Sequence, residues 1–373
     1  MAGEVLLDAF LHANALFVIA FALWWVARLA LSLLGRGDAH GGQLTLLNAL
    51  FVTVLLAPPA AAWIAHLHSA GIAPAPQVNL SDMVVSYYLS GGFEMKAAAF
   101  EELVQMHSRA TLMLLNGEGS LARGVIALFC AGFGIGLFRL FRAVFSLRRI
   151  LAESYPWRRV GRVRIQISDT VLVPFSTRGL YQYHVVLPSG LLSRPHDLRV
   201  SLAHEFQHIR SGDLEWEILL EALKPLFYLN PAYRAWKRQV EHLRELACDG
   251  AVLSRGRIGV KAYCETLLSV CKAARGRQAD RMAPKVALLA LGRRRPGGPS
   301  LLELRVRSML RRPPVGRGRG MLCLIGLPLI LALALSALAI QPPGDWSQDR
   351  LMLSTVVNLD RLDEINRLSA YAQ

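Results

Sequence analysis

Twenty consecutive residues, Met321 to Ile340, carry no charged side chain. A helix of that length rises roughly 30 Å, the thickness of a bilayer's hydrocarbon core, so the segment reads as a membrane span kinked at Pro328. Three other apolar runs read the same way. They cover about residues 9–34, with Arg28 near enough to the end to reach the interface, about 44–66, interrupted by Pro58-Pro59, and about 121–145. Arg139, Arg142, Arg148 and Arg149 mark the inner end of the last of these, whose hydrocarbon part should stop near Leu140. Glu4 and Asp8 occupy the place where a cleaved leader would be basic, so the first run is expected to stay as a span. With 53% hydrophobic residues and a mean hydropathy of +0.34, the chain is more apolar than a typical soluble protein, and spans account for the excess.

Charge sets the expected orientation. Of 42 Lys and Arg residues, 34 lie between Arg139 and Arg319, whereas residues 67–119 hold only Lys96 and Arg109 against Asp82, Glu94, Glu101, Glu102 and Glu118. The positive-inside rule then puts residues 146–320 in the cytoplasm as one domain, and residues 67–119, both termini and a short tail, 341–373, outside. The formal charge of +15 describes mainly the inner face, where anionic membrane lipid attracts arginine. No recognition helix or aromatic-interleaved basic strand accompanies the charge, so direct nucleic-acid binding is not expected. Cys130 and Cys323 lie in spans and Cys248, Cys264 and Cys271 in the inner domain; with no CxxC, neither an external disulfide nor a thiolate metal site is expected.

The inner domain reads as strands followed by helices. Val163 to Ile167, Val171 to Val173 and Tyr183 to Leu187 look like short strands punctuated by Pro174, Gly179 and Pro188-Ser189-Gly190. Helices follow, one led in by His196 to Arg199 and ending near Arg210 to Gly212, then about 213–223, about 231–253 with Asn230 as the N-cap, and about 260–275.

The first of these helices carries His204-Glu205-Phe206-Gln207-His208, an HExxH motif. One helical turn separates the histidines, so both imidazoles project from one face and can share a Zn²⁺. Glu205 stands beside them as the base toward a water at the metal, which is the arrangement for peptide hydrolysis. A further protein ligand is needed. Glu245 in Glu245-Leu246-Ala247-Cys248-Asp249 supplies one if its helix folds back, and Glu241, one turn earlier, is the rival. Asp249, one turn after Glu245, is placed to accept the second ring hydrogen of a ligand histidine. His184, Arg210, His242 and Arg244 are the candidates for stabilising an oxyanion. An extended substrate chain is expected on a strand edge near Val171 to Val173 or Val185 to Leu187.

These motifs carry a resemblance. Leu187-Pro188-Ser189-Gly190, HExxH followed by Arg210 and Gly212-Asp213, and then Glu245 to Asp249, together with the span layout, resemble the M56 family of integral-membrane metallopeptidases, which includes β-lactam-sensing transducers. The resemblance implies a multi-span α-helical membrane protein with a cytoplasmic, mainly helical α+β gluzincin-like zinc metalloprotease domain. It implies His204, His208 and Glu245 as zinc ligands, one Zn²⁺ per chain, Glu205 as catalytic base and Asp249 as the carboxylate behind a ligand. The implied location is a bacterial-type inner membrane, and the implied partner is a protein substrate such as a transcriptional repressor.

Two features depart from the family pattern. The 33 residues after Ile340 leave no room for a penicillin-binding sensor and contain no Ser-x-x-Lys, so direct acylation by a β-lactam is not expected. Phe206 stands where a smaller residue is usual. Residues 67–119, with an amphipathic pattern from Phe93 to Leu115 that puts Phe93, Ala97, Phe100, Leu103 and Val104 near one face, are a candidate for sensing, for capping the spans or for docking an external or membrane protein. The competing functions are quality control of membrane proteins and a catalytically idle receptor or scaffold, the latter disfavoured by the intact Glu205.

Overall fold

Long helices form wherever the sequence is apolar. The computed structural model describes residues 2–70, 80–92, 95–280, 300–311, 318–340, 352, 354–359 and 362. Helix α1 is Ala2–Leu33, α2 is His40–Ser69 with Pro58 and Pro59 inside it, and two shorter helices, α3 (Leu80–Leu89) and α4 (Ala97–Asn116), precede α5 (Gly119–Glu153). Among the described residues three stretches are long and apolar enough to cross a membrane: Leu7–Leu33, His40–Ile64 and Gly119–Glu153. The fourth expected span is an apolar helix whose described stretch, Cys323–Ala339, is shorter than these three.

The chain divides into two units. One comprises Met1–Ala27, Asn48–Ala131 and Cys323–Gln373. In it Leu16, Phe17 and Ala20 of α1 are buried, as are Leu50, Phe51 and Val54 of α2, and the Phe17 and Phe51 rings meet at 5.6 Å. Helix α3, unanticipated from sequence, packs with α4: Tyr88 stacks on Phe100 at 4.0 Å, and Val85, Phe100 and Val357 form a small core. Phe100 is therefore on the buried face as expected, whereas Leu103 is exposed. Phe93 and Glu94, and most of the 341–373 tail, fall outside the described residues.

The second unit comprises Arg28–Leu47 and Gly132–Leu322. After α5 come β1 (Tyr155–Val160), β2 (Val163–Ser168), β3 (Phe175–Arg178) and β4 (Tyr183–Pro188), then a short 3₁₀ turn and α6 (Pro195–Ser211), α7 (Asp213–Leu223), α8 (Pro231–Leu253) and α9 (Val260–Asp280). Two further helices follow, α10 (Leu301–Leu310) and α11 (Gly318–Ala339). The sheet has the order β1-β2-β4-β3; β2 and β4 are parallel, and the outer pairs are antiparallel.

Two strand expectations are corrected. Val171 to Val173 form no strand: the Ser168 and Thr170 side chains bond each other at 3.0 Å in a turn, Val171 is buried as a loop residue, and pairing resumes only after Pro174, as β3. Strand β1 was not foreseen. Its six residues are all exposed, with no alternation to read, and it contains Pro156 beside a bulge, which an edge strand tolerates.

One face of the sheet is closed by α6. Val163, Ile165, Val185 and Leu187 form a core against which Leu198, Leu202, Phe206 and Ile209 pack, so the unusual Phe206 is accommodated as a sheet contact. Helix α8 begins at Pro231 with the Asn230 side chain accepting from the Ala232 and Tyr233 amides at 2.9 and 3.3 Å. Asn230→Ala should lower the unfolding free energy by about 1 kcal/mol or more, and Asn230→Asp should recover most of it; thermal melts of the detergent-solubilised chain measure both.

Candidate metal centre and active site

The turn after α6 builds half of the site. Gly212 adopts φ of 72°, a conformation that glycine alone takes freely, and its amide bonds back to the end of α6. The chain reverses at once into α7. Its first residue, Asp213, brings a carboxylate oxygen to 2.8 Å from Nδ1 of His208.

Helix α8 builds the other half by crossing α6. Nε2 of His204 and Nε2 of His208 lie 3.1 Å apart, and the two oxygens of Glu245 lie 3.5 Å from the first and 3.6 Å from the second. Atoms bound tetrahedrally to zinc at about 2.0–2.1 Å stand roughly 3.3 Å from one another, so these three side chains fit a single ion. Glu241 does not compete: it pairs with Lys237, which also bonds Glu221 at 2.8 Å.

The other ring nitrogens are held in turn. Were an ion held on the Nε2 side, each histidine would carry its proton on Nδ1, and that of His208 would donate to Asp213. Nδ1 of His204 faces the Tyr263 hydroxyl at 2.8 Å, and that hydroxyl donates to Asp249 at 2.7 Å. Asp249 itself is 3.5 Å from Nδ1, so it backs His204 through Tyr263. Cys248 is nearer the histidines than expected. Its Sγ lies 3.3 Å from the same Nδ1 and, with both histidines, completes a set of donor atoms within 4.8 Å of one another. It sits on the Nδ1 side of His204 and also contacts the His204 carbonyl oxygen at 3.5 Å, as a thiol donor does. Glu245 is the group that reaches both Nε2 atoms.

Electrostatics favour a cation here. Asp213, Glu245 and Asp249 stand against Arg305 and Arg244, the latter shared with Glu217, and Glu205 is a further carboxylate beside them. Burial disfavours the imidazolium of His204, yet Cys248 and Glu245 outweigh it and raise its pKa to about 10. Burial also disfavours ionised Glu245, but Arg305 and the histidines hold its carboxyl well below the usual carboxylate range.

A cavity of about 1120 Å³ opens onto this junction. Its walls include Leu140 and Leu147 of α5, strand β3, Glu217 of α7 and Arg305 of α10. Glu205 lines it, 6% exposed, with no hydrogen bond or ion pair to its carboxylate among the described residues. Of the four oxyanion candidates only Arg244 lines the cavity; it bonds Glu217 at 2.7 Å and keeps a buried, unpartnered Nε–H. His184 instead bonds Gln166 at 3.0 Å on the neighbouring strand, Arg210 points to solvent, and His242 lies on α8 away from the lining. Val185 to Leu187 offer no edge, since they lie in β4, flanked by β2 and β3; the edge strands are β1 and β3, of which β3 lines the cavity.

Asp213, Tyr263 and Arg305 were not assigned roles from sequence. Asp213 lay in the Gly-Asp pair that carried the resemblance. Arg305 interrupts an apolar stripe, Leu301, Arg305 and Met309, in which every fourth residue is buried, and a charge on such a stripe is a readable signal. Tyr263 offered none.

No curated protein matches the chain. The family model described as BlaR1 peptidase M56 matches residues 17–289, a stretch that takes in α6, α8 and all the residues gathered around the two histidines except Arg305. The chain belongs to the M56 peptidase family.

Proposed function

We propose that this chain is a membrane-embedded zinc endopeptidase that cleaves a cytoplasmic or membrane-proximal polypeptide in signal transduction, a transcriptional repressor being the substrate type the family resemblance suggests. The observation that carries the reading is the convergence of His204, His208 and Glu245 within 3.1–3.6 Å at a cavity that also holds the unengaged carboxylate of Glu205. The grouping of the connection between the first two spans with residues 146–320 in one unit suits a topology with both cytoplasmic, four spans, and the termini and residues 67–119 outside.

His204, His208 and Glu245 would hold the ion. Zinc in such a site acts as a Lewis acid on the scissile carbonyl and lowers the pKa of a water to about 7. Glu205 takes the proton of the attacking water and delivers it to the leaving amine. Asp213 and the Tyr263–Asp249 pair fix the two imidazoles. Arg244, which lines the cavity, is the side chain that would donate to the carbonyl oxygen as negative charge develops there. The substrate backbone extends along the free edge of β3, which lines the cavity. Quality control of membrane proteins uses the same chemistry on a different substrate. A comparison of membrane and cytosolic proteomes after expression of wild type and Glu205→Gln separates the two, a single accumulating regulator supporting signalling and many misfolded membrane proteins supporting quality control.

Three outcomes test the site. Purified Glu205→Gln should retain its zinc and its melting temperature while cleavage of fluorescently labelled casein falls at least ~100-fold; cleavage at the wild-type rate, or cleavage by wild type that survives full chelation, would refute a zinc peptidase. Elemental analysis should find about one zinc in wild type and in Cys248→Ser but a large loss in Glu245→Ala. The reverse pattern makes Cys248 the ligand. Arg244→Ala should keep zinc yet lose roughly 100-fold in kcat, with KM little changed, as the loss of an oxyanion donor requires.

A further inference from the structure

Helix α10 places a guanidinium inside the site, fifty-six residues beyond Asp249 in the chain. Arg305 is 3% exposed. Its Nε and one terminal nitrogen donate to the two oxygens of Asp249, each at 2.7 Å, and its other terminal nitrogen lies 3.0 Å from Glu245. One planar fork therefore engages the carboxylate that closes the Nε2 junction and the carboxylate that backs His204 through Tyr263. A planar group with fixed donor directions sets the orientation of both acceptors, which a point charge does not.

The helix that carries it is held on several sides. Ser300 caps its start, accepting from the Glu303 amide at 3.2 Å. Met309, with Val306 beside it, joins a core with Val200 of α6, Val252 of α8 and Tyr263 of α9. Ser308 bonds His40 at 3.0 Å, at the start of α2. Arg305 thus enters the site on an element docked against α6, α8 and α9 and tied to the start of α2.

We propose that Arg305 is a positioning residue of the metal centre, fixing Glu245 and the Asp249–Tyr263–His204 chain so that the site is complete only with α10 docked. The inference rests on the metal reading given above. Its role is geometric, beyond neutralising buried carboxylates: lysine supplies the charge but cannot span two carboxylates with parallel donors.

The test uses the full-length chain in detergent. Zinc affinity is measured by competition with a chromogenic chelator, coordination by the visible spectrum of the Co²⁺-loaded protein, and folding by the melting temperature of the chelated protein. Arg305→Lys should melt close to wild type when metal-free, bind zinc about 10–100-fold more weakly and shift the Co²⁺ bands. Arg305→Gln should show a larger loss of affinity; if it fails to fold, Arg305→Lys decides. Wild-type zinc affinity and an unchanged Co²⁺ spectrum in Arg305→Lys would overturn the proposal. So would a loss of affinity accompanied by an equal loss of metal-free stability with the spectrum unchanged, the pattern of a merely structural ion pair. If wild type itself took up no zinc, the metal reading would fail and this inference with it.

Discussion

The concentration of buried negative charge beside two imidazoles is the constraint on which the site depends. Asp213, Glu245 and Asp249 come from two helices and are tied to the histidines directly or through Tyr263. Removing carboxylates from water is costly unless each gains charge-assisted partners, and here every one does. Arg305 neutralises part of the cluster, and the imidazoles or a divalent ion take up the rest. A chain with a formal charge of +15 therefore keeps an acidic centre, although most of its surplus of basic residues lies in the same stretch of sequence, between Arg139 and Arg319. Net charge gives no hint of the site.

Local chain geometry explains why the cluster forms. Helix α6 must stop immediately after His208 for Asp213 to return to it, and Gly212 in the left-handed region permits that reversal. A residue with a Cβ there would be strained, and the cost would fall on the distance between Asp213 and Nδ1. On the other side, the i and i+4 spacing of Glu245 and Asp249 gives one helix face two functions. Glu245 faces the Nε2 atoms, and Asp249, 1% exposed, accepts from Tyr263 and Arg305.

Elements whose signal is local were legible in the sequence. HExxH, the capped start of α8 at Asn230 and Pro231, and the limits of α7 and α8 follow from periodicity and end signals. The parts that escaped depend on tertiary pairing. Strand β1 lacks alternation because both of its faces are exposed. Val171 to Val173 looked like a strand because apolar β-branched residues suit strands and buried loops alike. Likewise Asp249 was expected to face a ligand histidine directly, whereas it meets His204 through a hydroxyl from α9, and nothing in the local sequence around Tyr263 announces it. His184 looked like a candidate because it precedes the active helix; pairing of β2 with β4 instead gives it Gln166 as a partner.

From Gly132 onward, helix α5 packs closely against the elements that carry the site. At 35 residues it is about 52 Å long, more than a bilayer needs, and residues between Arg139 and Ile150 form one wall of the cavity. The loop between α7 and α8 lies directly on this helix. A Cβ at Gly136 would come within 3.0 Å of the Pro225 backbone, and one at Gly132 would overlap the Tyr228 ring. Small residues on α5 are therefore what let that loop approach. The loop ends at Asn230, whose side chain fixes the first turn of α8, and α8 runs without interruption from there to Glu245 and Asp249. Glu245, the proposed third ligand, thus sits at the end of a series of contacts that begins on α5. Widening the helix at Gly136 would displace the base of α8, and a shift of a few tenths of an ångström there is comparable to the tolerance of a bound ion for its ligands.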